Sequence, residues 1–322
     1  MTAGRPSAVA LAVTAGRRLA GFLLMLLLSA AAVFSLELLV PGDPAFTLMA
    51  TQTSRIPSEA EVAAKRAEIG LDHPFLSRMV HWIGDVAHGD LGRSWATPAD
   101  VSDLLGPRIG NTLLLGVTAL VIAVVLALVL GLAGALRAGR PADHVLRAGV
   151  SVFAAVPAFV VGVLVLQFMV TDLGIGRVLA DGSVSGALLP ASVLGTAMAA
   201  AWARPVRAMA VDALSSDAVR VARARGVPPA RILRGHVLPA VMLRFLPFIG
   251  LGLGALLGAT TVVEVVFTWP GMGQYAAQAA MERDLPVLQA TVLLSIVAFR
   301  VANDLTRAAA WALDPRLRGG PR

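Results

Sequence analysis

The feature that most constrains this chain is a series of six apolar runs, each long enough to cross a bilayer as a helix. Spanning roughly 30 Å of hydrocarbon takes about 20 predominantly apolar residues. The runs occupy residues 19–40, 109–136, 148–170, 188–211, 239–266 and 285–313. We therefore predict an all-α integral membrane protein with six transmembrane helices, both termini in the cytoplasm, and a helical extracytoplasmic segment between spans one and two.

The composition agrees with a membrane protein, disfavours a soluble one and excludes a disordered one. Hydrophobic residues make up 57% of the chain and charged residues 15%, whereas soluble domains have roughly 45–50% and 25%. A secretion signal is the alternative for the first run. However, that run exceeds the roughly 7–15 apolar residues of a signal and lacks a small-residue cleavage site. We interpret it as an uncleaved span.

The basic residues are distributed unevenly between the two sides of the predicted membrane. With the N-terminus inside, the cytoplasmic side holds 19 of the 27 basic residues and 5 of the 20 acidic ones, a formal charge of +14 against −7 outside. An excess of arginine and lysine in cytoplasmic loops is the pattern that orients membrane proteins. It places both termini in the cytoplasm and the chain in the cell (cytoplasmic) membrane as a multi-pass protein.

This topology divides the chain into five segments. The predicted segments are a cytoplasmic tail at 1–18, the first transmembrane helix at 19–40, the extracytoplasmic segment at 41–108, a five-helix transmembrane core at 109–313, and a cytoplasmic tail at 314–322. The core includes a cytoplasmic loop at 212–238. The third span is interrupted at Pro157, and the fourth contains Arg204 and Arg207.

Two scarce residue types exclude several chemistries. The chain has no cysteine, which removes disulfides, thiolate metal sites and cysteine nucleophiles. Lys65 is the only lysine, and it lies outside any glycine-rich phosphate loop. A Walker A loop needs a lysine after its second glycine. We therefore predict that this chain does not bind ATP itself and carries no cofactor or metal.

The cytoplasmic loop at 212–238 is the most informative segment. Alanine and arginine are strong helix formers, and they make up most of residues 217–225. Gly226 suits the position after a helix end, and Pro228 can start the next helix. We predict two short helices joined by a sharp turn, leading into the fifth span at Pro239. A solvated basic face near anionic lipid is the alternative interpretation.

The same loop resembles the EAA loop of ABC importer permeases, in which Glu-Ala-Ala is followed by a glycine and later by Leu-Pro. The residues that match are Ala222, Gly226, Leu238 and Pro239. The dipeptide/oligopeptide/nickel branch is more similar, and its pattern is met by Arg220, Ala222, Arg223, Ala224, Gly226 and His236. Arg225 stands where that branch has lysine, and Ala218 where it has an aromatic residue.

Further stretches resemble the same branch in the same order along the chain. They are residues 17–19 with 39–44, 70–74 with 88–94, 264–273 with 283–286, and 314–316. Each motif is weak alone, but their order makes a chance match implausible. The chain is thus identified as similar to the first of the two permease subunits of such importers.

The resemblance implies a function and a set of partners. The chain would form half of the pore of an ATP-driven, binding-protein-dependent importer for peptides, and it would not be an enzyme. Its implied partners are a homologous second permease subunit, two ATPase subunits that bind ATP and magnesium, an extracytoplasmic substrate-binding protein and the lipid bilayer, but no nucleic acid. The implied ATPase-coupling residues are Asp217, Arg220, Ala222, Arg223, Gly226, His236, Leu238 and Pro239.

The sixth span holds a charge cluster, Arg300, Asp304 and Arg307, at helical spacing on one face. Charges inside a bilayer are costly and normally pair. The cluster therefore lines the substrate path or forms a structural arginine–aspartate pairing, and we favour the pairing. Arg307 stands where the family has an aspartate. Glu37 and Glu264 lie at outer span ends, and we favour interfacial placement over a position in the pathway for both.

Three histidines, His73, His81 and His88, lie in the predicted outer segment. Histidine is the commonest metal ligand, but exposed histidine is ordinary, and we predict no metal site. Import of nickel or a metal chelate by the same architecture stays an alternative to peptides. A secondary transporter is disfavoured because the spans lack mid-membrane acids and repeated halves. A membrane enzyme and a nucleic-acid binder are disfavoured because neither a catalytic cluster nor a large basic soluble domain is present.

Overall fold

The computed structural model describes residues 8–39, 42–53, 55–174 and 181–313, and nearly all of them are helical. Within those ranges the chain forms thirteen α-helices: α1 Ala8–Phe34, α2 Pro44–Thr53, α3 Glu59–Glu68, α4 Phe75–Ala87, α5 Val101–Leu136, α6 Pro141–Ala155, α7 Ala158–Val165, α8 Val184–Leu214, α9 Asp217–Ala224, α10 Pro229–Ile232, α11 Leu238–Val266, α12 Met272–Glu282 and α13 Leu285–Leu313. A 3₁₀ turn, Ser35–Leu39, follows α1.

The predicted all-α fold class is confirmed. Within the described ranges, the β-type backbone pairing is limited to one isolated antiparallel bridge between Arg93 and Asp100. The predicted cytoplasmic tail at 314–322 and the first seven residues of the tail at 1–18 lie outside the described residues. The orientation of the chain in the membrane stays a prediction.

Five helical stretches are long and apolar enough to cross a membrane. They are Ala20–Leu39, Val101–Leu136, Val184–Leu214, Pro229–Val266 and Leu285–Ala312. The sixth candidate is a pair of helical segments, Pro141–Ala155 and Ala158–Asp172, bent by 91°. By length and composition the described residues therefore contain five candidate spans, or six if the bent pair counts as one.

The bend lies within the third span predicted over 148–170, which was predicted to be interrupted at Pro157. Val156 ends α6 with an extended backbone, φ −87° and ψ 124°, and Pro157 follows it. Proline has no N–H to donate and disfavours helical geometry in the residue before it. The interruption at Pro157 was predicted, but the size of the bend was not, because a proline in a membrane helix often produces only a kink.

The described residues divide into two compact units. The first comprises the residues up to Ile109 together with Tyr275–Ala298, and the second comprises Gly110–Gln274 together with the residues from Phe299 onward. In the first unit, the centroid of the Phe34 ring lies 5.4 Å from the ring centroid of Phe75 and 5.6 Å from that of Trp82. A second apolar cluster there is formed by Val101, Leu105, Ala279, Val287 and Ala290.

The first unit also contains a buried aspartate that ties a loop to the start of α13. Asp284 is only 2% exposed. It accepts hydrogen bonds from the Ser94 hydroxyl and from the Trp95 backbone N–H, the second at 3.1 Å. Because Ser94 in turn accepts from the backbone of Ala96 and Thr97, one carboxylate organises the whole turn at 94–97.

The contacts at the start of α3 lead us to predict that the stability of this helix depends on pH. Glu61 accepts hydrogen bonds from Arg55 and from the Ser58 backbone and hydroxyl, at 3.2, 2.8 and 2.8 Å. These contacts, above all that of Arg55, lower the pKa of Glu61 from 4.5 to about 2. A carboxylate with a lowered pKa contributes stability above its ordinary pKa and loses it as the pH falls through the folded value. We expect Glu61→Gln to weaken amide protection of α3 at pH 6, and this difference to vanish between pH 4.5 and about 2.

Hydrogen exchange on the full chain, compared between variant and wild type at each pH, measures this response. Glu68→Gln is the matched control, because Glu68 pairs with Lys65 at 2.9 Å near the end of the same helix and lies outside the capping contacts. Equal protection of α3 in wild type and Glu61→Gln at pH 6 would contradict the prediction.

The second unit is packed through close approaches between helices. A Cβ atom added to Gly252 would overlap the indole of Trp202, and one added to Gly195 would lie 2.7 Å from the Ala119 carbonyl oxygen. Close packing by small residues is typical of helices in membranes. Gly258, the last glycine of the glycine-rich fifth span, has no neighbour within 4 Å of its would-be Cβ.

An ion pair fixes α6 to α8 in the second unit. The Arg207 Nε and Nη2 atoms donate to the two carboxylate oxygens of Asp143 at 2.7 and 2.6 Å, and Asp143 is 1% exposed. The Gly139 backbone N–H donates to the same carboxylate at 3.2 Å. This two-point geometry is the strongest that an arginine and a carboxylate can form, so it explains why the fourth span tolerates Arg207.

Candidate functional site

The candidate site is the loop between α8 and α11, and it begins with the amphipathic helix α9. Val219 and Ala222 are buried, at 1% and 6% exposure, and they belong to the apolar cluster that α5, α8 and α11 also form. Arg220 and Arg223 lie on the other side of the helix and are exposed. The helix is therefore held to the core by one side and presents a basic side outward.

Charges at the two ends of α9 favour the helix. Asp217 lies in the first turn and Arg223 in the last. Acidic side chains near a helix N-terminus and basic ones near the C-terminus are stabilising because they oppose the helix dipole. Asp217 also pairs with Arg220 one turn later. The loop thus carries a helix whose sequence favours its own formation.

Gly226 follows the C-terminal end of α9 and has a left-handed backbone conformation, with φ +70°. Its N–H donates to the Arg223 carbonyl at 2.9 Å, and the Val227 N–H donates to the Ala222 carbonyl at 3.1 Å. These two bonds form a Schellman motif, which needs a residue that accepts positive φ without cost. The predicted role of Gly226 as the residue after a helix end therefore has a geometric basis.

The second short helix is continuous with the fifth span. α10 begins at Pro229, with Pro228 as the residue before it, and it passes through a π-helical turn, Leu233–Val237, directly into α11. Pro239 lacks an N–H for the Gly235 carbonyl, and its ring crowds that carbonyl, so a wider turn just before it is understandable. The helix begins one residue after the predicted Pro228, and the π turn was not predicted.

The predicted coupling residues fall on two sides of this loop. Asp217, Arg220, Arg223, Gly226, His236 and Pro239 are exposed, whereas Ala222 is buried and Leu238 is half-buried. The structure adds three inward anchors that the sequence interpretation missed, namely Val219, Ile232 and Val237, all less than 5% exposed. The three-residue spacing of Val219 and Ala222 was a signal for a buried side.

The outward side of the loop is strongly basic. It carries Arg220, Arg223, Arg225, Arg231 and Arg234, and the acidic residue beside them, Asp217, is paired with Arg220. Val221 lies among these arginines with 49% of its surface exposed. A basic surface around an exposed apolar side chain suits contact with an acidic groove on another protein.

The charge cluster of the sixth span pairs within α13. Arg300 Nε donates to Asp304 at 2.9 Å, and Arg307 lies 3.7 Å from the other oxygen of Asp304. The side chains of Asp304 and Arg307 are 49% and 67% exposed. The two arginines and the aspartate thus pair between turns of one helix, and the structural role at the bundle interface that we favoured stays a prediction. A role in lining the substrate path stays a hypothesis.

Glu264, at the end of α11 that is predicted to be the outer one, is fully buried rather than interfacial. It accepts hydrogen bonds from the Thr112 hydroxyl at 2.7 Å and from the Gln274 backbone N–H at 3.0 Å. The same Thr112 hydroxyl accepts from the Met272 N–H at 2.8 Å. The preferred placement of Glu264 at the interface is therefore wrong, because the carboxylate turns inward to anchor the loop at 267–273.

A second pair of contacts secures the same loop. The Trp269 indole N–H donates to the Asn111 carbonyl at 3.0 Å, and the Asn111 side-chain amide donates to the Pro270 carbonyl at 2.8 Å. Trp269 is fully buried. Asn111 and Thr112 were not singled out from sequence, because no spacing along the chain relates residues 111–112 to residues 264–274.

The other acidic residue of an outer span end, Glu37, forms an ion pair with Arg78. Both side chains are largely buried, at 12% and 16% exposure. The histidines of the same unit make local contacts: His81 Nδ1 lies 2.7 Å from the Ser77 carbonyl and His88 Nδ1 lies 2.8 Å from the Gly84 carbonyl. The described residues contain no group of three side chains suited to hold a metal.

Comparison with known proteins agrees with this architecture. Residues 111–319 match the family of binding-protein-dependent transport system inner membrane components. The glutathione transport system permease protein GsiC of Salmonella choleraesuis (strain SC-B67) is 35% identical over 303 residues, which cover 94% of this chain and 97% of that protein. GsiC of Escherichia coli (strain K12) is 33% identical over the same shares of the two chains.

A solved structure shares the fold. The crystal structure of an amino acid ABC transporter with histidines superposes with a TM-score of 0.50 at 19% identity, over 65% of this chain and 94% of that chain. Since a family match covers most of the chain and relatives align along nearly all of it, the predicted family and membrane location are confirmed. This chain belongs to the binding-protein-dependent transport system inner membrane components, the multi-pass permease subunits of ABC importers.

Proposed function

We propose that this chain forms half of the translocation pore of an importer for peptides, with ATP hydrolysed by separate partner chains. The observation that carries the coupling part is the loop at 212–238, with Val219 and Ala222 in the core and its arginines exposed. Because α10 continues into α11, a charged surface that is fixed to the core can transmit the movement of a docked protein to α11.

The proposed cargo class rests on the relatives. Glutathione, named for the GsiC proteins, is a short peptide with carboxylate groups, and this supports a peptide-like cargo here. The proposed partners are a second, homologous permease subunit, two ATPase subunits with ATP and magnesium, and an extracytoplasmic substrate-binding protein.

Two measurements test this function. Affinity purification of the full chain from its native membrane should retain ATPase activity, which this lysine-poor chain cannot supply from a Walker A loop. Cells that lack the gene for this chain should take up less labelled glutathione or labelled dipeptide, but their Ni²⁺ uptake should be unchanged. Loss of Ni²⁺ uptake alone would refute the peptide assignment, and absence of co-purifying ATPase activity would refute the proposed coupling.

A further inference from the structure

The helix α6 has the geometry of a segment that lies along a membrane surface. It meets α7 and the following π-helical residues at 91°, so α6 and α7 cannot both run along the membrane normal, and α6, unlike α7, carries charged residues. The arginine distribution predicts that α6 lies on the cytoplasmic side of the membrane. Asp143, its one acidic residue, is buried and bonded to Arg207. The charge that α6 presents outward is therefore basic.

Two rows of side chains run next to each other along α6. One row, His144, Arg147 and Ser151, is polar and basic. The other consists of Val145 and Val152, with 72% and 69% of their surfaces exposed. An exposed apolar row beside a basic one is the arrangement of helices that lie in the interface between headgroups and acyl chains.

The basic row of α6 borders a cavity of about 410 Å³ that α8 completes. It is lined by His144, Arg147, Ala148, Ser151 and Arg204. The Arg204 guanidinium donates to the Ser151 hydroxyl, so the two helices meet at this point. The lining thus holds two arginines, a histidine and a hydroxyl and no acidic residue; the carboxylate nearest to Arg147, that of Asp143, is already bonded to Arg207.

We propose that this cavity binds the phosphodiester headgroup of an anionic phospholipid. Guanidinium groups match the geometry of phosphate oxygens, and basic pockets between helices on the cytoplasmic side of membrane proteins bind anionic headgroups. The exposed valines of α6 lie where the acyl chains of that lipid begin. The occupant is a lipid rather than free phosphate because the basic cavity and the apolar row are continuous on one helix.

Native mass spectrometry of the purified full chain tests this site. The protein is offered phosphatidylglycerol and phosphatidylcholine with identical acyl chains, and the two bound fractions are compared. We expect a preference for phosphatidylglycerol, lowered about tenfold in the double variant Arg147→Gln/Arg204→Gln, because each basic residue near a membrane surface attracts anionic lipid. Ser151→Leu, which keeps both arginines but fills the cavity, should also lower the preference.

The matched control is the double variant Arg137→Gln/Arg244→Gln. It removes two arginines from the same predicted side of the membrane: Arg137 donates to the Ala133 carbonyl at 3.4 Å and Arg244 pairs with Asp212 at 3.7 Å. This variant should keep the preference. Equal losses in both double variants would overturn the site in favour of general charge attraction. Abolition of the preference by millimolar inorganic phosphate would identify a free-phosphate site, and the absence of any preference in wild type would also overturn the proposal.

Discussion

Replacing Gly226 by aspartate is expected to abolish substrate uptake, while membrane insertion and folding persist. Gly226 has φ +70°, and a Cβ at this position would meet no atom within 4 Å. The backbone strain of a left-handed residue is about 1–2 kcal/mol, which is too small to unfold the protein. The new carboxylate, however, would lie next to Arg223 and Arg225 and reduce the positive charge of the surface proposed to dock an ATPase.

Uptake of labelled substrate and ATPase activity stimulated by substrate measure this effect. Gly226→Asn is the first control, because asparagine has the shape of aspartate and tolerates positive φ but adds no charge. Gly235→Asp is the complementary variant: it places the same charge beside Arg234 on the same basic surface, at a glycine with open space around it and no positive φ, so it should also lower uptake. Normal uptake by Gly226→Asp would refute the proposed coupling surface. Equal loss in both Gly226 variants would assign the effect to the turn geometry.

The second large effect is expected from Glu264→Ala. The substitution removes the acceptor of two donors: the Thr112 hydroxyl, in a buried hydrogen bond, and the Gln274 backbone N–H, in a partly buried one. Each unsatisfied buried donor costs about 1–3 kcal/mol, so we expect a loss of at least about 2 kcal/mol in the free energy of unfolding. The loop at 267–273 should become more accessible before the rest of the chain unfolds.

Thermal unfolding in detergent and protease cleavage near Trp269 are the measurements. Glu282→Ala is the control: Glu282 lies in α12 and makes an exposed hydrogen bond with Gln278 at 2.9 Å. A substitution there should change stability little. Thermal stability and cleavage of Glu264→Ala equal to those of wild type would contradict the anchoring role.

How far the sequence predicts this protein depends on whether the signal is local. The apolar runs predicted the fold class, because a membrane helix needs little more than length and hydrophobicity. The helix end at Gly226 was likewise predicted, since a glycine followed by Pro228 is a local stop and start. Both of these features depend only on neighbouring residues.

Features that depend on distant residues were missed. Glu264 meets Thr112 only because α5 and α11 are neighbours in the fold, and nothing in the sequence near residue 264 indicates this. Asp143 was not singled out from the sequence, yet Arg207 makes it a buried part of the packing between α6 and α8. The 91° bend after α6 also exceeded what Pro157 alone predicts.

The helical run from Pro229 to Val266 has a mechanical consequence. It starts in the arginine-bearing loop and ends two residues after Glu264, and its 38 residues extend for about 57 Å at 1.5 Å per residue. The run includes the π-helical turn at Leu233–Val237 but no non-helical residue, so a force applied to the loop acts on α11 as on a lever. The loop at 267–273 lies at the far end of that lever, where a small tilt produces the largest displacement.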